Sequence, residues 1–170
     1  MLFDLSSAAL DLKLSYEPFR AVTVNIAKAA NVAFADEIGG DGKGGWTDQG
    51  PSNDLRMFPT GPGEYAGIRF KVIDPASNGN RAVIALRGKN CQTYPTTAIV
   101  ELEEPVAAQC LYLLNAIAWE PGQKVRIGTV RCEYAGARYT ETEEQIFPVV
   151  SSVNVANFWM PRWIEGAAIG

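Results

Sequence analysis

Positions 39–54 crowd glycines, carboxylates and amides around one tryptophan, Trp46, and here the chain offers most of its chemistry. A flat indole beside Asp48, Gln49, Asn53 and Arg56 suits a sugar. The ring face stacks on C–H groups while the polar neighbours exchange hydrogen bonds with hydroxyls, Arg56 as a donor. Asp36, Glu37 and Asp41 add the hard oxygen atoms that calcium prefers, without the spacing of the helix-loop-helix calcium motif. The competing reading folds Trp46 onto the core and lets the carboxylates accept the loop's own N–H groups or pair with Lys43 and Arg56. Both readings require a loop. Glycine loses the most backbone entropy on ordering, and the stretch carries too little apolar surface for a buried strand.

The chain has no histidine, which removes the commonest general base near neutral pH and the commonest transition-metal ligand. A Ser-His-Asp or Cys-His device cannot be built from it alone. Carboxylate chemistry stays open, since glycoside hydrolysis needs only two suitably separated acids. The clusters Glu103-Glu104 and Glu141, Glu143, Glu144 read as solvated strand ends, and no pair among them stands out.

The elements that position these residues read as short strands. In a chain of 170 residues, one domain buries enough surface for a core. Val22, Val24 and Ile26 alternate, as do Ile68, Phe70 and Val72, the latter stopped by Asp74-Pro75 and a turn over 77–80. Further apolar runs cover 82–86, 97–102 and 109–119, with Trp119 read as core. The apolar parity switches near Gly128, which predicts a β-bulge there, and a hairpin leads from 133 into 144–150. A short amphipathic helix is expected at 6–14 and a helical turn at 153–159. The pattern predicts an all-β domain, a β-sandwich of the jelly-roll kind, spanning 1–170 without repeats.

Several phrases carry a resemblance: Phe34-Ala-Asp-Glu37, then Asp41 through Gly50, Asn53-Asp54-Leu-Arg56, Phe58-Pro-Thr-Gly61, Gly67-Ile-Arg-Phe70 and Asp74-Pro75. Their order resembles the galactose-binding-like β-sandwich (carbohydrate-binding-module-like) domains of bacterial glycoside hydrolases. The resemblance covers 19–163 and leaves 1–18 as an N-terminal extension. It implies a non-catalytic jelly roll that binds an oligo- or polysaccharide or braces a catalytic domain, and the loop residues Trp46, Asp48, Gln49, Asn53 and Arg56 are the candidates for sugar contact. Some modules of this kind hold a structural calcium, for which the acidic residues Asp36, Glu37 and Asp41 are the candidate ligands here. The alternatives are a structural or assembly module bracing a catalytic partner and, more weakly, a carboxylate-dependent hydrolase or lyase.

With a net charge of −4, the chain shows no electrostatic footprint for nucleic acid or an anionic membrane, and no apolar run reaches the length of a membrane span. Trp159 and Trp163, flanking Pro161, offer an aromatic surface for a protein partner or a second copy. Cys91, Cys110 and Cys132 lack close spacing and read as free thiols. Residues 1–14 lack the basic start of a secretory leader, so the protein is expected to be cytoplasmic, or secreted or periplasmic if a leader was removed.

Overall fold

The computed structural model describes residues 21–43, 45–88, 91–104, 106, 108, 110–134 and 143–155. Among them, regular structure is strand plus one 3-10 turn, so the described chain is all-β. Strands β1 (Gly61–Tyr65) and β2 (Ile68–Val72) form one antiparallel pair, and β3 (Arg126–Tyr134) and β4 (Glu143–Val150) form another.

In β1 and β2 alternate residues turn inward, which places Tyr65 on one strand and Ile68, Phe70 and Val72 on the other on the covered side. The register Tyr65↔Ile68 leaves a two-residue turn in which Ala66 (φ 51°) and Gly67 (φ 77°) are both left-handed. That conformation matches the twist of a tight hairpin, but it places a Cβ where glycine or asparagine is preferred. Beyond β2, Asp74 caps the 3-10 turn Pro75–Ser77 by accepting a hydrogen bond from the Ala76 N–H at 3.0 Å.

The core centres on an extended segment that is not an assigned strand. Ala30, Val32 and Phe34 are buried at period two, and the same parity carries the Asp36 side chain inward. Val32 forms an antiparallel bridge to Val83, while Ala82 and Ala85 are buried on the opposing segment. Asn31 extends the pairing with its side chain, whose Nδ2 donates to the Ala85 carbonyl (2.8 Å) and whose Oδ1 accepts the Ala85 N–H (2.7 Å). The Asn78 amide reaches back to the Ala27 carbonyl at 2.9 Å.

A run of rings then joins this segment to the first hairpin. Phe34 meets Phe58 edge-on at 6.0 Å, Phe58 stacks on Tyr65 at 5.8 Å, and Tyr65 meets Phe70 edge-on at 6.0 Å. Such pairs contribute about 0.5–1.5 kcal/mol each beyond their buried area.

The second hairpin follows the expected parity switch: pairing runs Arg126↔Val150, then Gly128↔Val149, leaving Ile127 as the extra residue of a bulge. Ser151 is fully buried at its end. Its Oγ donates to the Gly122 carbonyl and accepts the Val125 N–H.

Four expected strands differ, and of these 82–86 keeps only the Val83 bridge to Val32. Residues 21–26 are irregular, because Asn25 accepts the Ala27 N–H and the Ile26 carbonyl accepts from Ala29 and Ala30, closing a turn where the strand would have continued. Residues 97–102 carry no ladder, and the described part of 109–119 makes a bridge at Ile117 but no strand. Leu111, Tyr112, Leu113 and Leu114 are exposed rather than buried. The short helix expected at 6–14, the tip of the second hairpin and Trp159 and Trp163 lie outside the described residues. All three cysteines are free. Among the described residues no helix is long and apolar enough to cross a membrane.

Candidate functional site

The inward parity of the 30–36 segment explains the site's first feature. Asp36 is 2% exposed, a carboxylate taken out of water, and it is held by hydrogen bonds from the loop. One oxygen accepts the Gly50 N–H at 2.7 Å and the other the Ile38 N–H at 3.3 Å. One buried side chain thus ties together both ends of the glycine-rich loop.

Asp54 closes the loop's far side, with its side chain 1% exposed. It accepts the Asp36 N–H at 2.9 Å, the Arg56 N–H at 3.0 Å and the Arg56 Nε at 2.7 Å. The Arg56 hydrogen bonds hold its carboxyl well below the usual range, down to about 2, against the opposing effect of burial. The same pairing raises the guanidinium. Arg56 Nη2 also reaches the Asp36 carbonyl (3.1 Å) and the exposed Glu37 carboxylate (3.3 Å). The edge bearing Nε and Nη2 is therefore engaged within the protein.

Within the loop, three N–H groups find acceptors a few residues away. Asp41 takes the Lys43 N–H at 2.8 Å, the Asp48 carboxylate takes the Gly42 N–H at 3.1 Å, and the Asp48 carbonyl takes the Gly40 N–H at 2.9 Å. Asp48 adopts a left-handed backbone (φ 53°), which its short polar side chain tolerates by bonding locally. Thr47 is 1% exposed and donates to the Asn53 carbonyl at 2.9 Å.

Gly45 is buried against the 33–35 backbone: a Cβ there would lie 2.7 Å from both the Ala33 and Ala35 carbonyl oxygens. The Gly45 carbonyl accepts the Tyr94 hydroxyl at 2.6 Å, and burial pushes that phenol up to about 12. Burial likewise raises the Cys91 thiol, with the Asp48 charge adding to it.

Trp46 sits between these anchored neighbours. Its ring is half-buried and its indole nitrogen is sealed from solvent. Gln49 and Asn53 are exposed, and their side-chain amides make no hydrogen bond among the described residues.

The loop thus gathers Trp46, Asp48, Gln49, Asn53 and Arg56 along one stretch, with Thr47 linking its centre to Asn53. Asp36, Glu37 and Asp41 are separated in role: Asp36 faces inward, Glu37 faces Arg56, and Asp41 serves its own turn. Among the described residues no three His, Cys, Asp or Glu side chains gather closely enough to hold a metal ion. Thr47 and Tyr94 acquire anchoring roles that sequence spacing does not signal, whereas the Asp-x-Arg spacing of Asp54 and Arg56 does announce their pairing.

No protein family, curated protein or solved structure matches the chain.

Proposed function

We propose that the chain is a non-catalytic carbohydrate-binding module serving polysaccharide breakdown, with its two hairpins belonging to a jelly-roll β-sandwich of the galactose-binding-like kind. The observation that carries the reading is the division of labour in the loop. Asp36, Asp41, Asp48 and Asp54 satisfy backbone N–H groups from within, and the amides of Gln49 and Asn53 stay exposed in the same loop as the half-covered indole. A preformed rim of this kind loses little entropy on binding, and neutral hydroxyls suit a surface on which acidic groups predominate. Calcium would enter through the exposed Glu37 and Asp41; Asp36 would join only by releasing its two loop bonds.

Calorimetry on plant and bacterial polysaccharides, comparing the unmodified protein with Trp46→Ala and with Gln49→Ala/Asn53→Ala, tests this. The stacking contribution corresponds to roughly a tenfold loss of affinity for Trp46→Ala. Equal binding by all three proteins would reject the site.

A second reading, an assembly module that braces a catalytic neighbour, is favoured by a different observation. Ile99 is 76% exposed, and Leu102, Leu111, Tyr112, Leu113 and Leu114 are all exposed apolar residues. Surfaces of this composition often serve protein contacts. Sedimentation at increasing concentration, with Leu111→Ser/Leu113→Ser as the control, tests self-association; a monomer throughout rejects a second copy as the partner.

A further inference from the structure

Asn78 precedes Gly79, the one Asn-Gly pair in the sequence. Its side-chain amide donates two hydrogen bonds, to the Ala27 carbonyl and to the Arg81 carbonyl, both at 2.9 Å. The first is the contact that holds the 26–30 turn against the end of the 3-10 turn. Gly79 has no side chain to hinder approach, its N–H makes no hydrogen bond among the described residues, and the Arg81 guanidinium sits 3.8 Å from where a Cβ on Gly79 would lie. A neighbouring cation favours loss of the amide proton.

From this arrangement we infer that Asn78-Gly79 is a modification site gated by the fold, and that its conversion breaks the Asn78–Ala27 clasp irreversibly. The Gly79 nitrogen gives its proton to solvent base and attacks Asn78 Cγ. A C–N bond forms to close a succinimide, and Nδ2 leaves with a proton as ammonia. Water then opens the ring at either carbonyl to give aspartate or isoaspartate. No oxidant or cofactor is required. The leaving nitrogen is the atom that makes both hydrogen bonds, so the reaction proceeds only after the clasp has opened. The carboxylate left behind has no N–H to donate and would face two carbonyl oxygens, so the clasp cannot re-form.

The test is incubation of the full chain in mildly alkaline buffer, with and without urea, followed by peptide mapping for amide-to-acid conversion and isoaspartate. Conversion at Asn78 is expected to be at least roughly tenfold faster in urea, because local opening is what limits it in the folded protein. Equal rates in the two conditions would overturn the gate, and no conversion at Asn78 in urea would overturn the site. Asn78→Asp, made directly, should lower the melting temperature by roughly 3–6 °C, the effect of two lost hydrogen bonds. An unchanged midpoint would overturn the clasp.

Discussion

Arg56 grips Asp54 from two positions along the chain, with Nε 2.7 Å and Nη2 2.6 Å from the same carboxylate oxygen. The grip closes the glycine-rich loop on its outer side, as Asp36 closes it on the inner side. Consequences for stability and for the pH range of the loop follow from these two acids.

Asp54 should make the fold acid-sensitive in a narrow window. Its carboxyl lies near 2 in the folded state against 3.8 ordinarily, so its contribution is complete above about 4. Protonation of the folded form then removes that contribution as pH falls from about 4 to about 2. Urea midpoints measured across that window should fall more steeply for the unmodified protein than for Arg56→Gln, in which Asp54 returns toward its ordinary value. Parallel curves would show that the pairing adds nothing.

Asp36 should be the least replaceable acid in the loop. Removing it as Asp36→Ala leaves the buried Gly50 N–H without an acceptor and returns the partly buried Ile38 N–H to solvent, at a cost of about 1–3 kcal/mol. Asp36→Asn keeps one acceptor and should lose roughly half as much. Equilibrium denaturation resolves the two, and an Ala variant as stable as the Asn variant would contradict the assigned bonds.

Gly45 should resist enlargement. Gly45→Ala pushes a methyl group onto two backbone carbonyl oxygens that cannot rotate aside, which should cost about 2–3 kcal/mol. Tyr94→Phe removes one hydrogen bond from the Gly45 carbonyl and should cost about 1 kcal/mol. Denaturant midpoints at an unchanged slope provide the check.

The first hairpin should accept improvement at Ala66. Its left-handed backbone strains an L-alanine, so Ala66→Asn or Ala66→Gly should stabilise the protein by about 0.5–1 kcal/mol. A lower denaturant midpoint in both variants would mean that the turn is not the tight left-handed type.

Legibility in the sequence followed the strength of local signals. Alternation in Ile68, Phe70 and Val72 predicts β2, and the parity switch at Gly128 predicts the bulge, because each pattern lies within a few residues. Its partner β1, with glycine and proline among its five residues, shows no apolar alternation, and Ala66-Gly67 lacks the usual hairpin pair. The 30–36 segment is written largely in alanine, so its inward parity emerges only from burial, and Asp36 is its unexpected last member. In the loop, composition identifies the polar residues but not their direction. Whether a carboxylate faces solvent or its own backbone depends on partners such as Gly50 and Asp54, fourteen and eighteen residues away from Asp36. The 109–119 run misleads because hydrophobicity alone does not specify a ladder partner.

The two clasps described above, Asn78 to Ala27 and Asn31 to Ala85, bring the beginning and end of the 27–85 stretch side by side. A segment whose termini already meet can be grafted into a surface turn of an unrelated host with little distortion of either. The loop, its aromatic run and the first hairpin would travel together as one cassette, forgoing the hydrogen bond from Tyr94 to Gly45.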